Sequence, residues 1–373
     1  VPPDADGDFT SDRNDPDDDN DGAPDTSDPF ALDPANGTAT NLGVRRSFNS
    51  DGSNPGGLLN LGFTGLMTNG VSDYLSLFDP AQMTAGGAAG VVTVDAVPAG
   101  DPLGSSNSQQ YGFQFGAAVP GERFVAHTRV MAPFAGLTPQ GSQSMGLFIG
   151  TGDQDNYAKL VVSAQGGGGV QFLREVAGSA VTRPLAPVPL PGPEAIDLWL
   201  AVEPATATVQ PSYAVTTGGT RGPRTNLGGP EAIPPAWAAR GAVIAAGVIS
   251  TSSGGPPFPA SWDFLNLEAE PAAAVAPANT SAPTISGAAR VGSVLSASAG
   301  TWTGTPPLGF TYQWRRCTST TLASCTGIAG ATSSSYTAAA GDWGYRLRVV
   351  VTAANAGGTA AATSSATASV RLF

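Results

Sequence analysis

Lysine is almost missing from this chain: Lys159 stands alone beside 16 Arg. Histidine is as scarce, with His127 only, and there are two cysteines, Cys317 and Cys325. A structural zinc site takes about four His or Cys ligands, so zinc-finger chemistry is excluded. Any Ser-His-Asp or Cys-His mechanism would have to use His127. Charge is sparse too, at 12% of 373 residues. No apolar run reaches the roughly 18 residues that a membrane-crossing helix needs. Gly and Pro are abundant instead, 49 and 32, nearly double the usual share, which leaves room for few long helices. At 41% apolar the chain can still bury a core. No secretory leader is read at the N-terminus. The sequence starts inside what looks like a repeat array, so a processed or truncated product is expected.

The charge that is present is concentrated. The net charge is −12, and residues 1–34 hold 12 Asp against the single base Arg13. The rest of the chain, with 17 acids and 16 bases, is nearly neutral. Nothing in it offers a basic stripe to phosphates, so a nucleic-acid partner is disfavoured.

The acidic segment repeats. Shifted by 13 residues, Asp4 falls on Asp17, Asp6 on Asp19, Asp8 on Asp21, Asp12 on Asp25 and Asp15 on Asp28. A fixed period implies a stacked array. Apolar residues are limited to Phe9, Phe30 and Leu32 with a few Ala and Val, so no hydrophobic core can hold this segment. Asp at alternate positions of a tight loop turns successive carboxylates toward one centre, and hard Ca²⁺ takes 6–8 oxygens. Without a cation so many like charges would repel; with one, metal binding supplies the folding energy. The pattern resembles the thrombospondin type 3 calcium repeats over residues 4–34. The resemblance implies one ligand set of Asp4, Asp6, Asp8, Asp12 and Asp15 and a second of Asp17, Asp19, Asp21, Asp25 and Asp28. Asn20 stands where Gly7 does in the preceding copy, so the two loops are expected to differ in conformation.

Residues 42–270 read as short strands divided by Gly, Pro, Asn and Ser turns. Tyr111, Phe113 and Phe115 alternate, as do Leu160 with Val162, Val170 with Phe172, and Ile196 with Leu198 and Leu200. The apolar run 243–249 suits a strand buried on both faces. Residues 235–240 suit a short helical turn. Such spacing predicts a β-sandwich. The stretches Gly-Leu-Phe-Ile-Gly-Thr-Gly-Asp-Gln-Asp-Asn-Tyr-Ala-Lys-Leu (146–160) and Ser-Trp-Asp-Phe-Leu-Asn-Leu-Glu (261–268) resemble the concanavalin A-like lectin/glucanase (laminin G-like) jelly rolls of large secreted actinobacterial proteins. That family holds sugar-binding modules, protein-binding modules and glycoside hydrolases. Its glucanases carry a Glu-x-Asp-x-x-Glu strand, and no such triplet occurs here; Glu122, Glu175, Glu194, Glu203, Glu231 and Glu268 are each isolated. Asp153, Asp155 and Asn156 form a second candidate metal or ligand set, with capping of a turn as the alternative. A glycan site also wants a ring for sugar faces to stack on, and Trp237 and Tyr157 are the candidates.

Residues 271–280 form an Ala/Pro linker, expected to be semi-extended. Residues 281–373 bring a new strand rhythm, expected at 288–297, 310–316, 335–338, 345–353 and 363–372. The runs Pro-Thr-Ile-Ser-Gly (283–287), Gly-Thr-Trp (300–302), Tyr-Gln-Trp-Arg-Arg-Cys (312–317) and Gly-Asp-Trp-Gly-Tyr-Arg-Leu-Arg-Val (341–349) resemble the immunoglobulin-like domains repeated on bacterial surface proteins. The resemblance makes Trp314 the buried core tryptophan. Cys317 and Cys325 flank one short loop, so a disulfide across a hairpin is expected, with buried free thiols as the alternative.

The fold class expected is therefore all-β: a Ca-stabilised Asp-rich repeat, a jelly-roll sandwich and an immunoglobulin-like sandwich. The function expected is a non-catalytic, calcium-binding module, secreted or at the cell surface, whose partner is extracellular carbohydrate or a cell-surface protein. One alternative is a subunit of an extracellular fibre or stalk that self-assembles, favoured by the apolar end Val370-Arg-Leu-Phe373. A second is a glycoside hydrolase built on the jelly roll.

Overall fold

The computed structural model describes residues 3–48, 59, 61–86, 90–270 and 274–372. The protein is all-β and divides into two units, Val1–Pro271 and Ala272–Phe373. Among the described residues no helix is long and apolar enough to cross a membrane.

The first unit is built on two antiparallel sheets. In the first, the strands run Thr220–Arg221, Thr208–Thr217, Ala195–Glu203, Phe124–Met131, Ala260–Ala269, Val91–Val94 and Met83–Gly86. In the second they run Ser179–Thr182, Gly169–Val176, Asn156–Ser163, Ser144–Gly150, Val243–Thr251, Phe113–Ala118 and Gly65–Leu66. Alternation decides which residues point between the sheets. Phe113, Phe115, Leu160, Val162, Val170, Phe172, Ile196, Leu198 and Leu200 all do, and all are buried in one core. Trp262 of the first sheet is fully buried, and its indole N–H reaches the Gly146 carbonyl of the second at 3.0 Å. That bond satisfies a donor that burial would otherwise strand. Val243–Thr251 is buried on both faces, because the second sheet is covered on its outer side as well. The cover comes from the loop leading into Phe113 and from the acidic segment.

The second unit is a smaller antiparallel sandwich. Gly309–Cys317 pairs with Cys325–Gly327 and Arg346–Asn355, which in turn pairs with Gly358–Thr363. Ile285–Ser286, Val294–Ala297 and Ser335–Thr337 form the facing sheet. Leu295, Trp314, Leu347, Val349, Val351 and Val370 fill the space between. Cys317 and Cys325 are opposite one another in register and are joined as a disulfide.

Several boundaries differ from expectation. The strand expected at 288–297 covers only Val294–Ala297, with Ile285–Ser286 as a separate strand before it. Residues 278–280, assigned to a linker, belong to the strand Ala278–Ser281, which pairs with Thr301–Thr303. The final strand is Gly358–Thr363 rather than 363–372. The Ala/Thr/Ser composition around 358–368 carries no alternation that could fix its register. Of the apolar end offered as a self-assembly edge, Val370 is buried and Val291 N–H donates to the Arg371 carbonyl, while Leu372 is exposed. Phe373 lies outside the described residues.

Candidate metal centre

The two acidic loops share one hydrogen-bond pattern. In the first, Gly7 and Phe9 amides donate to Asp4, the Asp8 amide to Asp6 and the Thr10 amide to Asp8. In the second, the Gly22 amide donates to Asp17, the Asp21 amide to Asp19 and the Ala23 amide to Asp21. Each loop is braced in the same way: Ala5 N–H donates to Asp12 at 2.8 Å, and Asp18 N–H to Asp25 at 3.1 Å. The amides of Asp12 and Asp25 close the loops onto the Pro3 and Pro16 carbonyls, both at 3.0 Å. Asp12 and Asp25 thus each use one oxygen to hold a loop shut.

Asn20 keeps the left-handed backbone of Gly7, but its backbone amide donates to the Asp17 backbone carbonyl where the Gly7 amide donates to the Asp4 side chain. Gly7 and Asn20 have φ of 79° and 58°, and the next left-handed pair, Phe9 and Gly22, has 78° and 95°. Asn enters this region at small cost, because its short polar side chain bonds locally. Its side-chain amide reaches back to Asp6 of the first loop, and the Asn36 amide reaches Asp21 of the second. Asn36 was not singled out in the sequence.

One carboxylate oxygen from each of Asp4, Asp6 and Asp8 lies within 4.8 Å of the others, and Asp17, Asp19 and Asp21 are arranged alike. Five buried carboxylate oxygens of the acidic segment have no hydrogen-bond partner among the described residues: Asp17 Oδ1, Asp18 Oδ1, Asp19 Oδ2, Asp25 Oδ2 and Asp28 Oδ2. Asp18, Asp25 and Asp28 are only 1–2% exposed. A buried carboxylate left without a partner is strongly unfavourable. Burial is the main reason that Asp18 is pushed up to about 7 and Asp25 and Asp28 to about 6. Neighbouring carboxylates add to each shift, and burial raises Asp12 and Asp19 as well. A hard cation that takes 6–8 oxygens would satisfy these groups together. The residues fit it.

The segment is docked on the sandwich. Phe30 and Ala31 are buried. The Phe30 ring lies over Gly116, where an added Cβ would meet it at 2.9 Å. Gly37 has φ of 76°, and a Cβ there would meet the Gly116 backbone at 2.6 Å. The fully buried Gln114 donates its amide to the Pro29 carbonyl at 2.8 Å and to Leu66 and Gly152 at 3.0 Å. Thr68 hydroxyl donates to the Thr26 carbonyl at 2.8 Å. Tyr74, itself buried, donates its hydroxyl to Asp18 at 2.6 Å. Asp18 lies outside both ligand sets of the resemblance. Its partner is 56 positions away, and no local pattern carries such a pairing.

The remaining candidates fare differently. Asp153 accepts from Thr151, from the Asp155 amide at 2.8 Å and from the Asn156 side chain at 3.0 Å. Asp155 accepts from Asn107, and Asn156 from the Ala177 amide. These bonds cap the turn between Ser144–Gly150 and Asn156–Ser163. Trp237 and Tyr157 are not stacking platforms. Trp237 is 5% exposed and packs in the main core from its one-turn helix Pro235–Ala238. Tyr157 is fully buried, with its hydroxyl donating to Glu175 at 2.9 Å.

The outer face of the first sheet carries a polar cluster that alternation alone did not reveal. Asn266, His127, Trp199 and Ser212 stand in one row across four strands. His127 stacks on Trp199 with centroids 4.4 Å apart and bonds to Asp197 at 2.9 Å. Arg129 also bonds to Asp197, which is fully buried. Burial alone would raise Asp197, but the His127 and Arg129 hydrogen bonds outweigh it and hold it below the carboxylate range. Burial pushes His127 down, against its bond to Asp197. Arg221 and Arg224 both lie 4.9 Å from the Trp199 ring centre.

No protein-family model matches the chain, and no curated protein matches it. Among solved structures it is similar to the GH43 protein BlXynB from Bacillus licheniformis, at 12% identity and a TM-score of 0.36 over 48% of this chain and 33% of that one. It is similar to a xylan beta-1,4-xylosidase from Bacillus halodurans at 16% identity and 0.39, over 51% of this chain and 35% of that one. A functionally unknown protein from Saccharomyces cerevisiae aligns at 13% identity and 0.35, over 51% of this chain and 97% of that one. The chain spans about a third of the length of the Bacillus structures. The chemistry of the site rests on this chain's own residues.

Proposed function

We propose that residues 4–34 bind Ca²⁺ in two successive loops, and that the chain is a non-catalytic, calcium-stabilised module of a secreted or cell-surface protein. The single observation that carries this reading is the set of five buried, unpartnered carboxylate oxygens in a segment with almost no apolar side chains. Asp4, Asp6, Asp8 and Asp15 would hold one ion, and Asp17, Asp19, Asp21 and Asp28 the next, with Asp12 and Asp25 bracing the loops. The thrombospondin type 3-like and immunoglobulin-like resemblances belong to this proposal. The disulfide supports an oxidising compartment, and millimolar Ca²⁺ outside cells suits an extracellular site. Calorimetry on EDTA-stripped protein tests the reading; absence of Ca²⁺ uptake would sink it.

Recognition is assigned to the outer face of the first sheet. Arg129, Arg221 and Arg224 cluster there with Asn266 around a stacked aromatic pair. Such a cluster of guanidinium and amide donors suits the hydroxyls of extracellular carbohydrate. The non-catalytic reading draws support from the carboxylates being engaged separately: Glu175 by Tyr157, Glu231 by Arg183, Glu268 by Arg45, and Glu270 by Arg123 and Arg224. A glycan array probed with calcium-loaded protein tests this part. An empty array, or binding unchanged by Arg221→Ala with Arg224→Ala, would remove it.

A further inference from the structure

The only lysine of the chain is not on the surface. Lys159 is 6% exposed, on the outer face of the strand Asn156–Ser163. Its same-face neighbours Tyr157 and Val161 and its cross-strand partner Leu173 belong to an apolar cluster with Met67, Phe148 and Ile249. Its ammonium meets one acid, Asp101, at 3.5 Å. Asp101 lies in the loop between Val91–Val94 of the first sheet and Phe113–Ala118 of the second. A third group completes the arrangement. Glu175 is fully buried, stands directly opposite Tyr157 in register, and is therefore diagonal to Lys159 on the same face. One of its oxygens accepts the Tyr157 hydroxyl at 2.9 Å, and the other accepts the Gly104 amide of the Asp101 loop at 2.8 Å. Burial raises the Glu175 carboxyl above its ordinary range, which suits a group that passes protons.

We propose that Lys159 and Asp101 become joined by a side-chain amide bond, with Glu175 relaying the protons. The Lys159 amine is nearly buried, the Asp101 carboxyl reaches it from a loop with its side chain 22% exposed, and Glu175 lies on the same face of the sheet. Lys159 Nζ attacks Asp101 Cγ. The Nζ–Cγ bond forms and one Cγ–O bond breaks. Starting from ammonium and carboxylate, two protons pass from nitrogen to the departing oxygen by way of Glu175, and one water leaves. Nothing is oxidised or reduced, and no co-reactant is needed. Proximity supplies the rate, because the two side chains are already held together by the fold. The product ties the loop that crosses between the sheets to an inner strand of the second.

Mass spectrometry of the reduced, denatured full chain tests this directly. The expected mass is one water below that of the sequence. Trypsin should fail to cut after Lys159, and one branched peptide should carry both Asp101 and Lys159. Asp101→Ala and Lys159→Arg should each restore the full mass expected for the variant. Glu175→Gln retains an acceptor for Tyr157 or Gly104 and should fold with the bond unmade. Full mass in the wild-type chain, or cleavage after Lys159, overturns the proposal. A bond that still forms in Glu175→Gln overturns the relay. The wild-type peptide map decides the main point even if a variant fails to fold.

Discussion

The acidic segment and the C-terminal sandwich hold themselves together by opposite means. The sandwich buries Trp314, Leu347, Val349 and Val351 and ties one hairpin with a disulfide. Its stability comes from apolar surface removed from water. The segment buries charge instead. Asp18, Asp25 and Asp28 are as hidden as core residues, yet each keeps an oxygen without a partner. A folded shape that buries unpaired anions is stable only with something to neutralise them. One region carries its stability in its covalent chain, while the other, on the calcium reading proposed above, depends on an ion from the solution.

The largest expected effect is removal of that ion. At about 100 times Kd, each bound Ca²⁺ adds about 2.7 kcal/mol. EDTA should therefore lower the melting temperature of the first unit and strip amide protection from residues 4–33. The C-terminal unit should melt where it did before; a shift there would break the contrast. Conversely, Trp314→Ala should cost about 3–5 kcal/mol in the C-terminal unit alone, with calcium uptake unchanged in calorimetry.

Acidity should act on the segment in a distinctive direction. Asp18, near 7 when folded against a model value of 3.8, holds a proton that the unfolded chain has lost. In EDTA its contribution is fully present below pH 3.8 and is lost as pH rises through about 7. Melts between about pH 5 and 7.5 should show stability falling with pH in EDTA and rising with pH in saturating Ca²⁺, which competes with the protons. The same slope in both conditions would contradict cation binding at these groups.

Smaller effects locate the coupling between segment and sandwich. Tyr74→Phe removes the one donor to Asp18 Oδ2 and should cost about 1–3 kcal/mol. It should weaken the second loop's Ca²⁺ site more than the first's. Equal weakening of both would show that the Tyr74 contact does not act locally. Phe9 is 98% exposed and holds φ of 78°. Phe9→Gly should relieve that strain and stabilise the first loop by about 0.5–1 kcal/mol, read as a modest gain in calcium affinity.

What could be read in advance follows the range of the interaction. The 13-residue register was legible because ligand spacing is local: each carboxylate caps an amide two to five positions away. The strands around Phe113, Leu160 and Ile196 were legible from alternation. The Tyr74–Asp18 and Gln114–Pro29 contacts were not, because they join residues 56 and 85 positions apart. Trp237 misled for a related reason. A tryptophan just after two prolines, off any strand, reads as exposed, but the expected helical turn folds it inward over the core. Around residue 363 small residues gave no periodic signal, so the last strand was placed several positions late.

The matched bonds of the two loops make the segment a counting device. Most of the carboxylate-to-amide contacts of the first loop recur at a step of 13 residues, so geometry passes from one copy to the next like a thread on a screw. Inserting or deleting one whole copy keeps every carboxylate in phase and changes only the number of ions carried. A shift of one or two residues throws all later carboxylates out of phase at once. Evolution can therefore lengthen or shorten such an array freely in units of 13, and in almost no other unit.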